Sequence, residues 1–261
     1  MTPAFAVTLM ALGFMGAFVS GLLGVGGAIV MIPLLYYVPP FLGVGALDMR
    51  EVSGASMVQV LVAAGVGAWS HGRHAAVDRG LAWVGGVAKT LGTFAGALAS
   101  AQVSSHALLA VFAIMTTVAL PLLFFPPALR DHRADARRDV GRAIAAAISM
   151  GLIGVAAGLV GSGGSFLVVP VMVAFLRLPM RTAIGTSLAV TGMSALAGVL
   201  GKAVTAQIPL GPTALVVLGS VLGAPVGSAV SRRAPVGVLR AMLAGVVTLV
   251  AVHVWWDLLG R

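Results

Sequence analysis

Two stretches of the chain, 1–47 and 143–176, carry no charged residue, and each is interrupted near its middle by a cluster of glycines. Each offers roughly 34 helix-forming residues, about 50 Å of straight helix. That is too long for one crossing of a hydrocarbon layer about 30 Å thick and too short for two full ones. The economical fold is a break: a helix of about 20 residues, a glycine turn, and a shorter helix returning as an apolar hairpin, either two-pass or re-entrant. Further runs of crossing length follow at 51–70, 80–100, 106–125, 182–201, 211–230 and 236–256. Trp69, Trp83, Trp255 and Trp256 fall near their ends, where indole rings meet headgroups. With 59% of residues hydrophobic and 9% charged, there is more apolar surface than a soluble domain can hide. The sequence therefore reads as an all-α polytopic transmembrane helical bundle of eight to ten membrane segments. MTPAFAVTLM has no basic region and reads as part of the first segment, not as a signal peptide.

The two glycine stretches are copies. GLLGVGGAIVMIPLL at 21–35 and GLVGSGGSFLVVPVM at 158–172 share glycine and proline spacing at an offset of 137 residues. Downstream the offset is 131: Met49, Arg50, Gly54 and Ser56 match Met180, Arg181, Gly185 and Ser187, and Gly92 and Gly96 match Gly223 and Gly227. The difference of six residues falls in YYVPPFLGVGAL. The chain thus divides into a first repeat, 1–125, a basic linker, 126–142, and a second repeat, 143–261. Parity decides their relation. If each hairpin returns to its starting side, each half has three further crossings and the second half is inverted. Setting aside Lys89, which lies within a span, that arrangement puts twelve basic residues inside and three, Arg50, Lys202 and Arg261, outside. Single spans would divide the same residues nine to six. The positive-inside rule favours the inverted halves, a plan whose site lies near the midplane between repeats.

The paired glycine stretches, together with MREVSGAS and MRTAIGTS and the HGRHAAVDRGLAW loop, resemble the sulfite exporter TauE/SafE family over nearly the whole chain. The resemblance implies a bacterial inner-membrane permease for sulfite, organosulfonates or related small anions, often an exporter. Lys89, in KTLGTFAG, is not part of that resemblance, so its role is argued from this sequence alone.

A helix that begins inside a membrane has free N–H groups and a positive dipole end, and unpaired backbone there is costly. An anion at opposed helix starts would satisfy them, and glycine lets it approach the backbone. The expected substrate site is therefore Gly24, Gly26, Gly27, Gly161, Gly163 and Gly164, with Ser162 and Ser165 adding hydroxyl donors. Tight helix packing through small residues is the competing reading. Lys89, about nine residues into its span, would be a desolvated cation for the substrate, or else would snorkel or bond a carbonyl. Its repeat counterpart is Ser220. Ser53, Ser56 and Gln59 open one span, and Thr186, Ser187, Thr191 and Ser194 open its counterpart. Ser56, Gln59, Ser187 and Thr191 join the expected substrate contacts, against a reading as helix–helix hydrogen bonds. Arg50 and Arg181 would gather anions at the two mouths or act as interfacial anchors. Gly92-x-x-x-Gly96 and Gly223-x-x-x-Gly227 read as close-packing faces. Pro33 and Pro170 would bend or unwind the short helices.

Other classes fit poorly. The arginines sit between apolar runs, where they set topology, so the charge of +9 does not point to nucleic acid. The absence of cysteine removes disulfides, thiolate metal sites and a Cys nucleophile. His71, His74 and Asp78 make a weak metal set that reads better as a solvated loop, and no cofactor is expected. The interleaved Arg and Asp of 130–139 read as a solvated helix on the anionic inner leaflet. A membrane enzyme would need a cluster of catalytic side chains, and a scaffold gains little from paired breaks. The expectation is a secondary transporter that rocks one repeat against the other, with a small oxyanion as substrate; another small anion or a carboxylate is the alternative. The sequence leaves open which anion, which direction, whether a proton or a sodium ion couples, and whether the chain forms a homodimer.

Overall fold

The computed structural model describes residues 2–23, 28–71, 79–124, 136–176, 178, 180–231 and 236–260. Among them are ten α-helices and no strand: α1 (Pro3–Leu23), α2 (Ala28–Phe41), α3 (Met49–His71), α4 (Arg79–Ala99), α5 (Ser105–Phe124), α6 (Ala136–Val160), α7 (Ser165–Ala174), α8 (Met180–Val204), α9 (Leu210–Ser231) and α10 (Val236–Leu259). A 3-10 turn, Ser100–Gln102, joins α4 to the next loop. Six stretches in α1, α4, α5, α6, α8 and α9 are long and apolar enough to cross a membrane.

The second glycine stretch is a true interruption, with α6 ending at Val160 and α7 opening at Ser165. In the first, α1 ends at Leu23 and α2 opens at Ala28, while Gly24, Gly26 and Gly27 lie outside the described residues. The returning helices are short. At 14 and 10 residues, α2 and α7 are about 21 Å and about 15 Å long, below the roughly 30 Å of a hydrocarbon core. They suit re-entrant half-helices better than full crossings. Pro33 and Pro170 lie inside them, as the spacing predicts.

Outward faces are apolar, and the interior holds the polar groups. On α6, Ile144, Ile148, Leu152 and Val155 form an exposed stripe at helical spacing, while Ser53, Ser56, Gln59, Lys89, Ser194 and Lys202 are all fully buried. A soluble bundle has the opposite pattern. Trp83 in the second turn of α4 and Trp256 near the end of α10 are exposed, as headgroup-level rings should be. A capping box starts α3: the Glu51 amide donates to Asp48 Oδ1 (2.7 Å) and the Asp48 amide to Glu51 Oε2 (3.0 Å).

The two halves exchange partners. The fourth helix of each half packs along the first helix of the other, α9 on α1 and α4 on α6. Glycines make these contacts possible. A methyl at Gly92 or Gly96 would overlap the Gly151 or Val155 carbonyl, and one at Gly223 or Gly227 would overlap that of Phe14 or Phe18. The GxxxG faces are therefore packing faces, where backbone meets backbone.

Candidate functional site

The break between α6 and α7 is buried throughout. Gly161, Gly163 and Gly164 have φ of +77°, +58° and +61°, a left-handed run that side-chain-bearing residues resist. Space imposes the same choice at Gly161, where a methyl would overlap the Ser53 carbonyl.

Its backbone groups find partners of two kinds. The amides of Gly161 and Ser162 both donate to the Ala157 carbonyl (2.9 and 3.1 Å), and the Gly164 amide donates to Ser162 Oγ (3.3 Å). Three of the amides expected to be bare are thus paired within the turn, because the left-handed glycines fold it back onto the end of α6. The carbonyls, in contrast, are held from outside. Ser53 Oγ donates to Leu159 O (3.2 Å) and Ser56 Oγ to Gly161 O (2.9 Å), both from α3.

Lys89 reaches the same turn from α4. Its Nζ donates to Gly163 O (2.7 Å), to Ser194 Oγ (2.7 Å) and, more weakly, to Thr191 Oγ1 (3.5 Å). All three partners are neutral oxygens. Among the described residues, Asp48, Glu51 and Asp257 lie at a helix end or in a connection, and no carboxylate meets Lys89. A charged ammonium in such a place is costly unless something negative joins it. The position depends on the α4/α6 contact, since Gly154 lets α6 close onto the Lys89 backbone.

A second lysine was missed by the sequence reading, which placed Lys202 outside, just beyond a span ending at 201. In the structure α8 runs on to Val204, and Lys202 is fully buried. Its Nζ donates to Ser100 Oγ (2.7 Å), Gln207 Oε1 (3.0 Å) and Leu159 O (3.1 Å). Hydropathy ends a helix at its first charge, whereas this helix continues because polar partners in Ser100 and Gln207 receive the charge. The signal was the polar pair Lys202 and Gln207, five residues apart, which no window average detects.

The remaining expected residues divide. Ser56, Lys89, Thr191 and Gly161–Gly164 meet at the second break, joined by Ser53 and Ser194. Ser165 and Ser187 are buried, and each is engaged by a partner. Gln59 is fully buried with neither amide atom partnered among the described residues, and the hydroxyls of Thr90 and Thr93 are likewise bare. Arg50 donates through Nε and Nη2 to Val103 O (3.3 and 3.0 Å), which ties the start of α3 to the end of the 3-10 turn. Arg181 lies in the first turn of α8, and its side chain is outside the described set. Residues 72–78 with His74 and Asp78, and the side chain of His71, also lie outside it. Ser220, the counterpart of Lys89, donates to Val216 O (2.8 Å) and Gly13 O (3.2 Å), a helix–helix contact. Lys89 and Ser220, matched in the repeat, therefore make different contacts.

A cation, hydroxyls and an N-terminal half-helix around one buried turn can receive a small anion. Comparison with known proteins bears on this chemistry. The profile described as sulfite exporter TauE/SafE matches residues 9–254. A probable membrane transporter protein of Xylella fastidiosa (strain Temecula1) is 30% identical over 96% of this chain and 94% of its own length. Its counterpart in strain 9a5c is 28% identical over the same shares. A probable membrane transporter protein of Bacillus subtilis, YunE, is 23% identical over 87% of this chain and 89% of its own. No solved structure matches the chain significantly.

Proposed function

This chain belongs to the sulfite exporter TauE/SafE family and is a multi-pass membrane transporter, in bacteria one of the inner membrane; from that premise we propose that it is a secondary permease that moves a small sulfur oxyanion, sulfite or an organosulfonate, outward. The observation that carries the reading is Lys89, fully buried and held among the described residues by a turn carbonyl and two hydroxyls. In this proposal the anion meets the Lys89 ammonium, which trades the Gly163 carbonyl for an anionic oxygen. Thr191 and Ser194 of α8 and Ser162 and Ser165 of the break supply hydroxyl donors, and the N-terminus of α7 adds its dipole. The family's description as exporters favours the outward direction.

We read the halves as inverted, with access alternating as packed bodies rock about the site. The exchange of partners modifies which bodies move. The backbone contacts made by glycine lie between the halves, α1 with α9 and α4 with α6. Rocking intact repeats would break them, so the moving bodies are the exchanged pairs.

The test is ligand-dependent thermal stability of the detergent-purified protein, because a ligand that binds the folded state stabilises it. Sulfite, sulfoacetate, taurine and thiosulfate are compared with chloride. The expected result is a shift with a sulfur oxyanion that is absent with chloride and absent in Lys89→Met. Equal shifts in the two proteins would remove Lys89 from the site.

A further inference from the structure

One turn past Ser56 on α3, Gln59 is fully buried, and neither its Nε2 nor its Oε1 meets a partner among the described residues. An amide left bare at both ends in an apolar interior is unfavourable, and such a group in a folded protein calls for an explanation. Its neighbours along α3 touch the proposed site. Ser56, three residues before it, holds the Gly161 carbonyl. Val60, the next residue, lies against Gly163, whose carbonyl receives Lys89. Thr93, one turn beyond Lys89 on α4, is buried with an unpartnered hydroxyl, and its methyl and the Met57 side chain both reach Gly198 of α8. Thus α3, α4, α8 and the break converge where polar atoms lack partners.

We infer that Gln59 sets the specificity of this site by reading the hydrogens of the substrate. The ligand is a small monoanion that carries an O–H or N–H of its own: a hydrogen oxyanion, or a sulfonate with a hydroxyl or amine. The inference rests on the anion site proposed above and narrows its substrate. Lys89, Thr191, Ser194 and the Gln59 Nε2 can all donate to anionic oxygens. The Gln59 Oε1 can only accept, so a ligand with a donor satisfies both ends of the amide. Charge gives the other limit. At this level Lys89 is the cation that the described residues supply. Lys202 lies eight residues past Ser194 on α8, about 12 Å further along the axis, with neutral oxygens of its own. One negative charge balances Lys89, and a second would be buried unpaired.

The experiment compares three probes on the purified full chain by thermal shift: hydroxyethanesulfonate, its methyl isostere propanesulfonate, and sulfate. Wild type is expected to respond to hydroxyethanesulfonate at a concentration about tenfold or more below that needed for propanesulfonate, as for loss of a buried hydrogen bond, and least to sulfate. In Gln59→Met, of similar volume and without polar atoms, the gap between the two sulfonates should close. Equal response of wild type to both sulfonates overturns the inference, and this arm needs no variant to fold. A Gln59→Met protein that keeps the gap overturns it as well. If no anion shifts wild type and Lys89→Met behaves identically, the anion site itself falls, a failure distinct from that of Gln59.

Discussion

The two buried lysines sit in different surroundings. Lys89 has two acceptors at 2.7 Å and a third at 3.5 Å, beside unpartnered hydroxyls. Lys202 has three acceptors at 3.1 Å or less in a closed network with Ser100 and Gln207, in which Gln207 Nε2 also donates to Thr205 Oγ1 (2.7 Å). Lys89→Met should abolish anion flux in proteoliposomes while the protein still elutes as a folded species; undiminished flux would exclude it from the mechanism. Lys202→Met should act on stability first. Its loss removes three hydrogen bonds, to Ser100, Gln207 and Leu159 O, each worth about 1 kcal/mol net. A lowered melting temperature, with substrate concentration dependence unchanged in whatever folds, is the expected result.

Among the elements, the break has the most demanding geometry. Three glycines there adopt left-handed φ, at about 1–2 kcal/mol for any other residue. Gly161→Ala adds overlap with the fixed Ser53 carbonyl, whereas Gly163→Ala meets the Val60 side chain, which can turn. Gly141, in the first turns of α6, has nothing within 4 Å, so alanine there should be neutral or stabilising by up to about 1 kcal/mol. Thermal unfolding should rank the variants Gly161→Ala, Gly163→Ala and Gly141→Ala from least to most stable. A Gly161→Ala protein as stable as wild type would mean that the turn is not built as described.

For the whole molecule, the exchanged packing makes a prediction that rigid repeats would not. With no native cysteine, engineered pairs report without background. A disulfide tying α1 to α9, or α4 to α6, should leave transport intact, because the proposed mechanism moves those helices together. A disulfide tying α3 to α8, which carry the polar faces on either side of the break, should stop it. The reverse outcome would restore the repeats as the moving bodies. Reporter fusions at 72–78 and at 205–209 should lie on opposite sides of the membrane; both on one side would make the halves parallel.

The sequence alone determined where the helices lie and where one of them fails. Charge-free length set against bilayer thickness, and glycine against helix, are local quantities, so the end of α6 before Gly161 and the spacing of Gly92 and Gly96 were legible without a fold. It also singled out Lys89, because a lone charge in a span is improbable on energetic grounds. Only the tertiary structure decided that α9 packs on α1 and α4 on α6, that the carbonyls of the turn and of the end of α6 are held by Ser53, Ser56 and two lysines, that Lys202 is buried, and that Gln59 has no partner among the described residues. Whether a polar group is satisfied depends on what a distant segment brings within about 3 Å of it, and no pattern along the chain contains that distance.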